Sequence, residues 1–138
     1  MSELEKVIYT AKTHTTGGRN GASRSSDGRL DVRLSLPGGP GDGTNPEQLF
    51  GAGWSACFIG AMQLAAGKMK VEFPTDTADD VEVDLNLADG GYFLRARHRI
   101  SLPGLDREVA QQLVDAGSRT CPYSKAVHGN IDVAYDLV

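Results

Sequence analysis

The fold is decided by residues 45–70, which read NPEQLFGAGWSACFIGAMQLAAGKMK. Asn45 can cap a helix N-terminus, and Pro46 suits the first helical position because it lacks an N–H group that would need a partner. From Leu49 to Gly67 the chain runs for 19 residues without a charge. The stretch therefore predicts one long helix that ends near Lys70 and is buried on all sides.

A membrane span is the alternative for an uncharged stretch of this length. Its nine glycines and alanines between residues 51 and 67 make it only mildly hydrophobic, and the neighbouring segments alternate polar and apolar residues. Such alternation is typical of half-buried strands in α+β proteins. We therefore favour a buried core helix.

Small residues recur every three or four positions along the predicted helix, at Gly53, Ala56, Cys57, Gly60 and Ala61. This spacing lets a second backbone approach closely, as in small-residue helix crossings. A helix buried on all sides also needs more cover than one small domain supplies. We expect a homodimer in which two such helices pack together.

The segments on either side of the central helix predict strands and two shorter helices. Alternating or β-branched residues predict strands, and Asp27-Gly28 and Asp89-Gly90 predict hairpin turns. Helical spacing followed by Gly117, and a proline start at Pro122, predict the helices. The predicted strands are 7–11, 30–36, 81–88, 92–102 and 131–137, and the predicted helices are 106–116 and 122–127. Without repeats or linkers, residues 1–138 are expected to form a single α+β domain.

The charges exclude some classes of function. The chain has 14 Lys and Arg against 18 Asp and Glu, scattered along it, and a net charge of -4. A nucleic-acid surface would need a basic stripe, so no nucleic-acid partner is expected. The acidic N-terminus lacks a basic segment followed by an apolar one, which predicts a cytoplasmic protein without membrane insertion.

The two cysteines, Cys57 and Cys121, lie 64 residues apart. In a reducing compartment they are expected to be free thiols rather than a permanent disulfide. Cys57 lies in the apolar helix, where an inert buried thiol is the ordinary interpretation. Cys121 precedes a short helix, where backbone amides favour a thiolate. No cysteine or histidine pair has the close spacing of a zinc site, so no metal is expected.

Three motifs occur in a fixed order: Gly17-Gly18-Arg19; residues 45–58, with NPEQLF at the start and SACF at the end; and Cys121-Pro122-Tyr123-Ser124, followed by Gly129-Asn130-Ile131. Together they resemble the Ohr/OsmC family, and more narrowly its organic hydroperoxide resistance branch. The resemblance extends from the first predicted strand to the last. It implies a fold in which antiparallel sheets wrap around the long central helices of an intertwined homodimer.

The resemblance also implies a cysteine-based peroxidase that reduces organic hydroperoxides. Cys57 matches the peroxidatic cysteine and Cys121 the resolving one, while Arg19 and Glu47 match the residues that set up the reactive thiolate. It implies no bound cofactor, and a lipoylated protein or dihydrolipoamide as the reductant. Apolar residues near Cys57 are expected to line the pocket for an alkyl chain; these are Phe50, Trp54, Phe58 and Ile59.

The chemistry explains why a cation is needed. A thiol attacks a peroxide as thiolate, and burial on an apolar helix opposes ionisation. Arg19 would offset that burial, with Glu47 holding the guanidinium in place. Glu47 and Cys57 are ten residues apart, about 15 Å along a straight helix. We therefore predict that Glu47 reaches the site from the other subunit.

Two other interpretations use the same residues. A thiol redox sensor or binding module would form the disulfide reversibly to change a partner surface, although no output element is evident. A purely structural dimer would leave both cysteines, Arg19 and Glu47 without a common purpose.

Overall fold

The computed structural model describes residues 5–138 and divides them into two compact units. The first unit extends to Pro46, and the second is Glu47–Val138. The expectation of a single domain stays a prediction.

The first unit holds a three-stranded antiparallel sheet in the order β1-β2-β3. The strands are β1 (Thr13–Thr16), β2 (Ala22–Ser25) and β3 (Asp31–Arg33). A short 3-10 turn at Gly18–Asn20 connects β1 to β2, and the predicted Asp27-Gly28 turn connects β2 to β3. Gly28 has a φ of 75°, a conformation that glycine adopts without strain.

The sequence misplaced the strands of this unit, because β1 and β2 were not predicted and the two predicted strands are absent or shorter. Residues 7–11 form no strand, and in place of 30–36 only Asp31–Arg33 pairs, with Leu34 adding an isolated bridge to Thr44. The side chain of Ile8, in the middle of the first predicted strand, is 92% exposed. β-branched residues suit a pleated surface, but a strand forms only where a neighbouring backbone supplies the hydrogen bonds.

The second unit combines helices with a three-stranded sheet in the order β4-β5-β6. The strands are β4 (Ala78–Ala88), β5 (Gly91–Ser101) and β6 (Asp132–Leu137). The helices are α1 (Pro46–Met69, whose first residue closes the first unit), α2 (Arg107–Thr120) and α3 (Pro122–Val127). The predicted long helix, the hairpin, the short helix and the last strand are confirmed.

The hairpin and the last strand pair in opposite senses. β4 and β5 are antiparallel, and their turn residues Asp89 and Gly90 both have positive φ, as a two-residue hairpin turn requires. β6 pairs with β5 in parallel, so the expectation of purely antiparallel sheets is wrong for this strand. The reason is that α2 and α3 carry the chain back across the sheet before β6 begins.

One face of α1 forms the core of this unit. Trp54, Phe58 and Met62 have no exposed surface and pack with Ile100 of β5 and Leu113 of α2. Burying each of these large side chains contributes roughly 1.5 to 3 kcal/mol.

The opposite face of α1 is open in the single chain. Ala52 and Ala56 are exposed, and Leu64 is 72% exposed. Within the chain, its sheet and α2 cover only one face, so burial of the helix on all sides stays a prediction that requires a second subunit. By length and composition α1 could also cross a membrane. Its packing against β5 and α2 is that of a core helix.

Helix α2 runs through the glycine that was expected to end it. A side chain at Gly117 would bring its Cβ within 2.8 Å of the Phe58 ring. Gly117 is therefore a packing residue that lets α2 approach α1, and the helix continues to Thr120.

Candidate functional site

The two cysteines meet in the second unit, at the point where α3 approaches α1. Cys57 lies midway along α1, and Cys121 lies at the junction of α2 and α3. Both are free thiols, and their Sγ atoms are 3.1 Å apart. A disulfide bond is about 2.0 Å long, so a small local movement would join them.

Cys121 is the N-cap residue of α3, as the sequence predicted. Its own N–H donates to the carbonyl of Gly117 at 2.9 Å, and its carbonyl accepts from the N–H of Lys125 at 2.9 Å. These two bonds attach the cysteine to the end of α2 and to the first turn of α3. The Cys121 side chain is fully buried, whereas Cys57 is only partly buried. Cys57 is therefore the more accessible of the two cysteines within the chain.

The first turn of α3 also acts on Cys57. Burial raises the pKa of the Cys57 thiol, and the neighbouring Cys121 adds to this, while a hydrogen bond from the backbone N–H of Tyr123 opposes it. The sequence placed the helix start beside Cys121 alone. The structure shows that a backbone N–H from the same turn favours the Cys57 thiolate as well.

Tyr123 also forms an aromatic surface near Cys57. Its ring stacks with Phe50 at a centroid distance of 6.0 Å and is 41% exposed. A Cβ at Gly53 would lie 3.0 Å from the Tyr123 hydroxyl. At this position the small residue of α1 makes room for Tyr123. The sequence did not single out Tyr123, although it lies between Cys121 and the end of α3.

The four predicted pocket residues differ in burial. Trp54 and Phe58 are fully buried in the core, while Phe50 and Ile59 are partly buried against it. Only Phe50 and Ile59 could touch a bound molecule without rearrangement of the core. Contact of any of the four with a substrate stays a prediction.

Arg19 and Glu47 lie in different units. Arg19 is exposed in the 3-10 turn of the first unit. Glu47 is partly buried in the first turn of α1, where it lines a groove with Ser55, Asp80 and Val81. Their contact with Cys57, and the origin of Glu47 from a second subunit, stay predictions.

A polar cluster that the sequence did not reveal lies in the core of the second unit. Ser124 Oγ accepts hydrogen bonds from Trp54 Nε1 and from the Tyr135 hydroxyl, both at 2.9 Å. The His98 ring packs at 5.0 Å from the Tyr135 ring, and His98 Nδ1 lies 2.6 Å from Asp79 Oδ2. Burial raises the pKa of Tyr135.

The sequence pattern indicates the position of one member of this cluster, His98. His98 is packed in the core, with no exposed surface. It alternates with Ala96 and Ile100, so a two-residue period places it on the inner face of β5. Its partner Asp79 could not be identified, because it follows from the register of β4 on β5.

A pocket of about 640 Å³ in the second unit lies against α3 and β6. Arg119, Lys125 and His128 contribute to it, and Ser124 and Tyr135 reach it from the core. Neither cysteine lines this pocket. Among the described residues, no group of three His, Cys, Asp or Glu side chains could hold a metal ion.

Comparisons with known proteins agree with one another. The family model described as OsmC-like protein matches residues 39–136. An organic hydroperoxide resistance protein of Xanthomonas axonopodis pv. citri is 48% identical over 99% of both chains. The crystal structure of the organic hydroperoxide resistance protein OhrB of Bacillus subtilis superposes with a TM-score of 0.86 at 40% identity, covering 96% of this chain and 100% of that one. An organic hydroperoxide resistance protein from Legionella pneumophila superposes with a TM-score of 0.89 at 38% identity, covering 96% and 98%.

Proposed function

Because the chain belongs to the organic hydroperoxide resistance branch of the OsmC-like family, we propose that it is a cysteine-based peroxidase that reduces alkyl and fatty-acid hydroperoxides to alcohols. The observation that carries the proposal is the 3.1 Å contact between an accessible Cys57 and a buried Cys121. An accessible thiol beside a buried one suits a pair in which the first reacts and the second resolves.

The proposed cycle has three steps. The Cys57 thiolate attacks the distal peroxide oxygen, the O–O bond breaks, and the alkoxide takes a proton to leave as alcohol, with sulfenic acid on Cys57. The Cys121 thiol then condenses with the sulfenic acid, and the disulfide forms with loss of water. A dithiol reduces the disulfide, returning two thiols and leaving as its own cyclic disulfide.

The first step needs a cation because burial raises the pKa of Cys57. The Tyr123 N–H opposes that effect only in part. We assign the rest of the lowering of the Cys57 pKa to Arg19, held by Glu47, because a guanidinium keeps its charge when desolvated. The pKa of Cys57, followed by the ultraviolet absorbance of the thiolate, should be higher in Arg19→Gln than in the wild type. It should stay at the wild-type value in Arg24→Gln, which removes another cation of the same unit.

Reduction is proposed to come from a lipoylated protein or dihydrolipoamide, with no bound cofactor. The burial of Cys121 favours attack on the Cys57 sulfur, with Cys121 as the leaving group. Trapping a mixed disulfide with dihydrolipoamide on Cys57 would agree, and trapping it on Cys121 would contradict this route.

We also propose that the protein works in the cytoplasm as a homodimer, with the open face of α1 in the subunit interface. Exposed Ala56 and Leu64 on that face support the dimer. Sedimentation of the purified protein should give twice the 14.7 kDa chain mass, and Ala56→Arg should shift it toward the monomer.

The test is turnover of an alkyl hydroperoxide with dihydrolipoamide as the electron donor. Cys57→Ser should abolish activity, and Cys121→Ser should allow one oxidation without sustained turnover. Stoichiometric oxidation of the wild type without turnover would favour the redox-sensor alternative. Wild-type activity in Cys57→Ser would rule out the peroxidase.

A further inference from the structure

One buried hydroxyl joins three elements next to the cysteine pair. Ser124 of α3 is 2% exposed and accepts hydrogen bonds from Trp54 of α1 and Tyr135 of β6. An oxygen in this position has two acceptor sites, and both are filled. Trp54 and Tyr135 lie on different elements, so Ser124 fixes α3 against both at once.

The Trp54–Ser124 bond lies one helical turn from each cysteine. Ser124 follows Cys121 by three residues, and Trp54 precedes Cys57 by three. The Trp54–Ser124 bond therefore spans α1 and α3 beside the contact between the two Sγ atoms. Helix α3 has only six residues, too few to be stable without tertiary contacts. The distance between the sulfurs depends on what anchors α3.

Tyr135 is itself held in place. Its ring stacks on His98 at 5.0 Å and on Phe58 at 5.3 Å, and His98 is paired with Asp79 at 2.6 Å. The side chains of His98 and Asp79 have no exposed surface. A stacked ring on a paired histidine leaves the Tyr135 hydroxyl little freedom to move away from Ser124.

We propose that Ser124 is a positioning residue for the resolving step of the proposed peroxidase. Its two hydrogen bonds hold Cys121 where it condenses with the Cys57 sulfenic acid before a second hydroperoxide arrives. That competing reaction converts the sulfenic acid into sulfinic acid and the second hydroperoxide into alcohol, and the thiol is lost. Ser124 thus sets how much hydroperoxide the enzyme tolerates. The proposal rests on the proposed function.

The test measures the ratio of disulfide to Cys57 sulfinic acid by mass spectrometry over a series of cumene hydroperoxide concentrations. Ser124→Ala should lower that ratio about tenfold, since it removes two modest hydrogen bonds. The rate of Cys57 oxidation should fall by a much smaller factor. Tyr135→Phe keeps the ring stacks and removes one bond, so it should give an intermediate ratio.

Ser118→Ala is the matched control, because it deletes an exposed hydroxyl bonded only to the carbonyl of Asp115. It should keep the wild-type ratio. If Ser124→Ala does not fold, the ratio in Tyr135→Phe decides. A wild-type ratio in a folded Ser124→Ala or in Tyr135→Phe would overturn the proposal. If cumene hydroperoxide leaves Cys57 of the wild type unoxidised, the proposed function itself fails.

Discussion

The buried Asp79–His98 pair gives the sharpest prediction about stability. Both side chains are fully buried, and the contact between His98 Nδ1 and Asp79 Oδ2 is 2.6 Å. Within the described chain, Asp79 Oδ1 and His98 Nε2 have no hydrogen-bond partner. The pair therefore keeps two unsatisfied polar atoms in the core, each of which costs about 1 to 3 kcal/mol.

Replacing only one residue of the Asp79–His98 pair should lower the free energy of unfolding much more than replacing both. His98→Leu leaves the buried Asp79 side chain without its partner, and breaking a buried pair in this way costs about 3 to 5 kcal/mol. Asp79→Val leaves Nδ1 of the buried His98 without a hydrogen-bond partner and should cost about 2 kcal/mol. The double variant also removes both unsatisfied atoms and should match or exceed the wild type.

The assay is urea denaturation of the reduced protein at pH 7, followed by circular dichroism. The four proteins form a double-mutant cycle, and its coupling energy should be about 5 kcal/mol or more, because the double variant recovers both single losses. Glu82→Gln is the control, since it weakens an exposed pair with Arg97 and should cost under about 1 kcal/mol. Additive losses, with a coupling below about 0.5 kcal/mol, would show that Asp79 and His98 do not act as a pair.

Three further predictions follow from the packing and from the pKa of Cys57. Gly117→Ala should lower the free energy of unfolding by about 1 to 3 kcal/mol. The cost of the steric clash between the new Cβ and the Phe58 ring should exceed the free energy gained from the higher helix propensity of alanine, and a stabilised variant would refute the contact. Gly21→Ala should prevent native pairing of β1 with β2, because its Cβ would overlap the Thr16 carbonyl. Unchanged NMR chemical shifts of the β1 backbone amides would contradict this. In Arg19→Gln, where burial acts on Cys57 without the proposed cation, the folded-state pKa of Cys57 lies above its unfolded-state value. The contribution of Cys57 to stability is then complete below the unfolded-state pKa and is lost as the pH rises through the folded-state pKa. Denaturation of reduced Arg19→Gln should show a steeper alkaline loss of stability than that of Arg19→Gln with Cys57→Ser, and equal slopes would contradict it.

Local patterns predicted the second unit well. The uncharged stretch after Pro46 gave α1 within a residue of its end, and the turn at Asp89-Gly90 gave the long hairpin. In both places the local preference and the tertiary environment agree. The cysteine pair was predicted from its motifs, and the structure places the two sulfurs in contact.

The errors arose where tertiary contacts decide the outcome. Gly117 has the sequence appearance of a helix end, yet it is required by the ring of Phe58, 59 residues earlier in the chain. The parallel pairing of β6 depends on how α2 and α3 cross the sheet. Ser124 was part of a motif, but its importance comes from Trp54 and Tyr135, which only the fold brings to it.

In the proposed cycle, Cys57 reacts with the hydroperoxide and Cys121 resolves the product within the same chain. The decisive measurement treats the reduced protein with one equivalent of cumene hydroperoxide and identifies the oxidised peptides by mass spectrometry. The expected product has lost two hydrogens and gives a single peptide pair that links Cys57 to Cys121. Disulfide-linked chains, or a Cys57 that stays reduced while the hydroperoxide is consumed, would contradict it.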